Sequence, residues 1–245
     1  RSTPSNSSAA SDVYKRQLLD LVVGRYMDWG FDKNMYCGDP PVRAYCDPDN
    51  YDEIAPILFH NEGNGRFRDA SEESGIADFL GKALGVAITD FNRDGFTDIF
   101  ISNDGMEQFL LHNNGDGTLE EVALFSGVAM DQDGNSFAGM GVDVADFDND
   151  CLADILVANL SNEAYALYKN EGDEIFSYAS DWTGLSKITL LYGGWGLRFI
   201  DYDNDGWRDL FIIQAHVLDT IEITSPHIQY LSLIHISEPT RPLYI

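Results

Sequence analysis

The sequence predicts an all-β fold, a stretch of β-propeller built from four-stranded antiparallel blades, and three observations predict it. An acidic loop occurs three times, an apolar strand-like run follows each loop, and the unit repeats at intervals of about 55 residues, which suits four short strands and their turns. A β-helix would want coils of about 20–25 residues and stacked sandwiches about 100 per domain, so the period fits neither.

A run with glycine and then alternating apolar positions precedes each loop: GKALGVAITDF from Gly81, FAGMGVDVADF from Phe137 and GGWGLRFIDY from Gly193. Alternation of this kind marks a strand with one face in a core. The acidic loops follow as DFNRDGFTDIF from Asp90, DFDNDCLADIL from Asp146 and DYDNDGWRDLF from Asp201. Each leads into a second, strand-like apolar run, DIFISND, DILVANL or DLFIIQA. A third strand then turns at Asn-x-Gly into a fourth, in LLHNNGDGTL from Leu110 and LYKNEGDEIF from Leu167. The same turn appears earlier as LFHNEGNGRF from Leu58, and LLDLVV from Leu18 sets Asp20 in register with Asp98, Asp154 and Asp209. The expected units are therefore 18–80 (partial, with an insertion at 26–51), 81–136, 137–190 and 191–230 (partial), about three blades plus a partial one.

The two ends are set apart from these units. Asp12–Gln17 reads DVYKRQ, which GAT GTG TAT AAG AGA CAG encodes, and the reverse complement of that DNA encodes LSLIHI, the text of Leu231–Ile236. An inverted repeat at both ends, with SEPTR following the second, resembles the transposon-end adaptor of sequencing libraries. Residues 1–17 and 231–245 are accordingly expected to be adaptor-derived and the chain a fragment.

Fifteen Lys and Arg stand against 41 Asp and Glu, a net charge of −26. Such a charge repels phosphate backbones and anionic lipid, so nucleic acid and membrane surfaces are poor partners. Disorder does not explain it, because 44% of the residues are apolar and they fall in strand-length runs. Cys37 and Cys46 frame a Pro- and Gly-rich stretch inside the insertion and are expected to form a disulfide, two free thiols being the alternative. A disulfide would indicate an oxidising compartment. Cys151 takes the sixth loop position, where the other loops have Gly95 and Gly206.

The loops present oxygen-bearing side chains at relative positions 1, 3, 5 and 9: Asp90, Asn92, Asp94 and Asp98; Asp146, Asp148, Asp150 and Asp154; Asp201, Asp203, Asp205 and Asp209. Asp, Asn and Gly dominate turns without any metal, and that accounts for positions 3 to 6. It leaves position 9 unexplained, a carboxylate at the mouth of an apolar strand where Asp is depleted. Calcium takes six to eight oxygens, and a curled loop can supply those four side chains with the position-7 carbonyl of Phe96, Leu152 or Trp207. Oxygen-only donors and their number favour Ca²⁺ over Mg²⁺ or zinc. An EF-hand would need Glu at position 12, where Ile101, Val157 and Ile212 stand. The third loop, with four aspartates around Gly206, is expected to bind most tightly.

These loops are similar to the FG-GAP/VCBS repeats of integrin α-subunit propellers, and NNGDGT, NEGNGRF and GMGVDVADFDND look like the cartilage acidic protein family, whose members often carry an ASPIC/UnbV domain after the repeats. The resemblance implies an extracellular or periplasmic, calcium-binding, seven-bladed propeller. It covers scaffold residues and transfers no ligand.

The function expected is a non-enzymatic binding or structural module with an unknown protein or glycan partner, its calcium rigidifying the blade hairpins. The alternative is the propeller part of a secreted lyase or glycosidase. Asp104, Asp116, Asp131, Asp133 and Asp143 are the acids outside the loops that it could use, and most read as turn residues. Asp131 and Asp133 could form a lesser cation site. His60, His112 and His216 read as isolated structural histidines. A third reading is adhesion through a surface calcium ion.

Overall fold

The computed structural model describes residues 8–11, 18–38, 40, 41, 43–218, 221–224 and 235–237. Within them the chain forms four antiparallel sheets. The first holds β1 (Ser8–Ser11), β2 (Asp20–Val23), β3 (Ile57–Gly63) and β4 (Arg66–Asp69), and the second β5 (Ala83–Thr89), β6 (Asp98–Asn103), β7 (Phe109–Asn113) and β8 (Leu119–Glu121). The third holds β9 (Val142–Ala145), β10 (Asp154–Val157), β11 (Ala166–Asn170) and β12 (Phe176–Tyr178), and the fourth β13 (Gly194–Ile200), β14 (Asp209–Gln214) and β15 (His235–Ser237). Strands follow chain order in every sheet, so each is a simple meander.

The opening strands β1, β5, β9 and β13 lie side by side, each against the next. The recurrent glycines make that approach possible. A Cβ at Gly141 would meet the Trp195 carbonyl oxygen at 2.1 Å, and one at Gly85 would meet the Val142 side chain at 2.9 Å.

The second strand of each of the two middle sheets, β6 and β10, supplies both neighbouring cores. Ile99 and Ile101 pack toward the first sheet with Val22, Leu58 and Leu111, while Phe100 packs toward the third with Ile155, Val157 and Tyr168. Leu156 in turn faces the fourth sheet with Leu167, Leu210 and Ile212. Alternate residues of one strand thus feed opposite cores, which is why these runs are apolar throughout.

The insertion leaves the first sheet after β2 and returns at β3, its Cys37 and Cys46 joined in a disulfide with Cα atoms 5.2 Å apart. It is pinned to the second sheet by Tyr26, whose hydroxyl donates to Asp104 at 2.5 Å. Asp104 sits in the bend after β6, as read from the sequence, whereas Asp143 is a strand residue. Asp143 lies on β9 and accepts from the Phe199 backbone N–H at 2.8 Å and Arg198 Nη1 at 3.1 Å, tying the third sheet to the fourth.

Strands β1 and β15 fall in the two end segments set apart above, and they pair with β2 and β14. They take the places that the first strand and the third strand hold in the complete sheets. A ladder is made of backbone groups, so an open edge can pair with an extended segment of almost any sequence.

Candidate metal centres in the acidic loops

The loops share a backbone path set by their side chains. In the second, Asp146 accepts from the N–H groups of Asp150 and Cys151, Asp148 from Asp150, and Asp150 from Leu152. In the third, Asp201 accepts from Asp205 and Gly206, Asp203 from Asp205, and Asp205 from Trp207. The first repeats the pattern with Asp90 to Gly95, Asn92 to Asp94 and Asp94 to Phe96. These short-range bonds curl the chain, and they require left-handed backbone at two places. Position 4 has φ of 63°, 63° and 62° at Arg93, Asn149 and Asn204, and position 6 has 87°, 71° and 92° at Gly95, Cys151 and Gly206.

Cys151 is therefore a side chain in a conformation glycine adopts freely. Cys151→Gly is expected to stabilise the protein by about 0.5–1 kcal/mol, a gain read as a higher urea midpoint at unchanged m.

Position 9 is the structural centre of each loop. Asp98 and Asp154 are fully buried and Asp209 nearly so. Asp98 accepts from the backbone N–H of Phe91 and Asn113, both at 3.0 Å, and Asp154 from Phe147 at 3.0 Å and Asn170 at 2.8 Å. Asp209 accepts from Tyr202 at 3.0 Å and Asp20 from Asn61 at 2.7 Å. The sequence reading gave this carboxylate a cation as its partner. The structure adds two backbone donors, one from the loop and one from the hairpin beyond. Burial still dominates, pushing the carboxyls of Asp98 and Asp154 up to about 7 although their backbone bonds pull the other way. A positive charge in the loop would favour the ionised form.

The hairpin asparagines, read as turn formers, do more than turn the chain. Asn113 Nδ2 donates to the Thr97 carbonyl and Asn170 Nδ2 to that of Ala153, while their Oδ1 atoms accept from Gly115 and Gly172. Asn61 makes the same pair with Leu19 and Gly63. Asn170 also donates to the Phe91 carbonyl in the neighbouring sheet's loop at 2.9 Å. Asn170→Ala is expected to cost about 2–3 kcal/mol, since it leaves the buried Phe91 carbonyl and the part-buried Ala153 carbonyl and Gly172 N–H without their partner. Urea unfolding checks this.

The loops also touch one another. The Arg93 guanidinium donates to the Cys151 carbonyl, and Asn149 Nδ2 donates to the Gly206 carbonyl at 3.3 Å, so position 4 of one loop reaches position 6 of the next.

The carboxylates converge unequally. Oxygens of Asp146, Asp148 and Asp154 lie within 4.8 Å of one another, as do those of Asp201, Asp203 and Asp209, which are positions 1, 3 and 9 of each loop. In the first loop Asp98 groups instead with His112 and Glu174, the latter from the third sheet's hairpin. His112 Nδ1 lies 2.9 Å from Glu174 and 3.6 Å from Asp98, so this histidine is not isolated as the sequence suggested. Asn92 Nδ2 points to Asp94, and Asp90 Oδ1 is buried without a hydrogen-bond donor. Lys169 reaches the second loop, bonding Asp148 at 2.5 Å and also Asp150. All-oxygen donors at positions 1, 3 and 9, an orphaned oxygen at position 1 of the first loop and an ammonium seated in the second fit a hard divalent cation. Positions 7 (Phe96, Leu152, Trp207) would contribute carbonyls.

Asp131 behaves as a turn former, accepting from the backbone of Asp133 and Asn135.

Four meandering sheets side by side, three of them with an acidic loop of one geometry between their first two strands, define a repeat protein. The FG-GAP-like repeat family matches residues 44–101, 90–157 and 146–212, and the chain belongs to it. Among curated proteins it is similar to cartilage acidic protein 1 of Mus musculus and of Homo sapiens, each 30% identical over 176 residues and 69% of this chain. The chain spans only 26% and 25% of those proteins' lengths. A solved Agrocybe aegerita lectin that recognises non-reducing terminal N-acetylglucosamine is 16% identical, with a TM-score of 0.45 over 85% of this chain and 46% of that one. Among the described residues no helix is long and apolar enough to cross a membrane.

Proposed function

We propose that the chain is part of an extracellular, calcium-binding β-propeller that serves as a non-enzymatic scaffold for a protein or glycan partner. The four sheets are its blades, and Ca²⁺ ties each acidic loop to the hairpin behind it. The observation that carries the reading is the convergence of positions 1, 3 and 9 in two successive loops. The family, the disulfide and the similarity to cartilage acidic protein 1 support an extracellular setting. Among the described residues, the buried Asp104 holds the insertion to the second sheet and the buried Asp143 ties the third sheet to the fourth, structural roles that favour a scaffold over an enzyme.

Partner recognition is assigned to the insertion. Trp29, Phe31, Tyr36 and Tyr45 are exposed there, and aromatic side chains at a surface suit docking of protein or sugar faces.

Calcium titration of chelator-stripped protein by isothermal calorimetry tests the reading. Saturable binding is expected in the micromolar to millimolar range, weakened by Asp201→Asn with Asp203→Asn. Absence of heat up to several millimolar Ca²⁺ would sink it.

A further inference from the structure

The ladders place a basic or potentially basic residue beside position 9 in every sheet where the third strand is complete. Ile155 pairs with Tyr168, Ile99 with Leu111 and Leu21 with Phe59. Extending each register by one step would set Asp154 opposite Lys169, Asp98 opposite His112 and Asp20 opposite His60. His60 Nδ1 lies 3.5 Å from Asp20 and His112 Nδ1 3.6 Å from Asp98. Lys169 goes further into its loop, and its stem is mostly buried, with the side chain 18% exposed. Its ammonium bonds Asp148 and Asp150, positions 3 and 5, which are two of the ligands a divalent ion would use. In the third loop, among the described residues, no ion pair reaches Asp201, Asp203 or Asp209.

We propose that Lys169 is a tethered counter-ion that sets the calcium affinity of the second loop. This rests on the calcium reading and deepens it. A lysine ammonium carries one charge and three donors, enough to offset repulsion between two carboxylates but unable to gather six or more oxygens. Calcium enters this loop only when the ammonium swings out to water, so the loop fills after the third. The fold keeps the second loop closed at low calcium and gives the repeat array graded rather than uniform sites.

Lys169→Met keeps most of the apolar stem and removes the charge. Calorimetric titration of the whole chain with Ca²⁺ is expected to show the second-loop site tightening by about tenfold or more, the factor expected where the lysine-free loop is about a tenth of the population. In EDTA the same variant is expected to melt below wild type, because its acids repel without a counter-ion. Adding Asp148→Asn to Lys169→Met should abolish the gained affinity, and Lys169→Arg should keep wild-type weakness. A residue with a merely structural role would lower the EDTA melt and leave calcium affinity unmoved, and that result overturns the proposal. If wild type binds calcium and Lys169→Met adds nothing, the role of Lys169 falls alone. If neither chain binds calcium, the calcium reading falls and takes this proposal with it.

Discussion

Asp154→Ala is expected to cost about 3–5 kcal/mol in urea unfolding, even with calcium chelated. The carboxylate is fully buried and accepts two backbone N–H groups, from Phe147 at the head of its own loop and Asn170 in the next hairpin. Alanine leaves both donors without a partner in a place water does not reach, and each orphan costs about 1–3 kcal/mol. Asparagine keeps one acceptor oxygen but turns an N–H toward the other donor, so Asp154→Asn should lose about half as much. Asp98→Ala should match Asp154→Ala, since its bonds to Phe91 and Asn113 are the same pair in the second sheet. Equal losses for Asp154→Ala and for the rim residue Asp150→Ala would contradict a special role for position 9.

That expectation differs in kind from the one the residue pattern supports. The sequence shows an acid where a strand should begin, and a cation is the partner a sequence can suggest, because backbone donors are invisible in a residue pattern. The repeat period, the all-β class and the place of Cys151 at a glycine position were legible, since they follow from spacing and from side-chain type at a fixed place. Contacts between distant segments were not. Asp104 follows Asn103 and so looks like a turn, yet its partner Tyr26 lies in the insertion. Asp143 is held from Phe199 and Arg198 in the next sheet. His112 and Lys169 look unrelated as single residues, and they become equivalent once the ladders fix which strand position faces position 9. Aligning the three hairpins on their Asn-x-Gly turns puts His60, His112 and Lys169 in one column. That signal was present in the sequence and needed only the register to give it meaning.

Millimolar calcium is expected to raise the melting temperature, and EDTA to reverse the rise. A loop at about a hundred times its dissociation constant gains about 2.7 kcal/mol. For a chain of this size each kcal/mol is worth about 2–4 °C, so each filled loop should add about 5–10 °C. The gain has a clear source. Burial pushes the Asp98 and Asp154 carboxyls up to about 7, and a divalent charge in the loop would favour their ionised form. The choice of variant decides whether the test is clean. Asp209→Asn disturbs a nearly buried acceptor of the Tyr202 N–H and should lower the melt with or without calcium, so it cannot separate ligand from scaffold. Asp203 is exposed, and its Oδ1 takes only a 3.2 Å bond from Asp205 that Asp201 duplicates at 3.1 Å. Asp203→Asn should therefore melt like wild type in EDTA and lose the third loop's share of the calcium shift. Identical melting of wild type in EDTA and in millimolar calcium would leave the backbone bonds of position 9 as the whole reason for these loops, with no ion required.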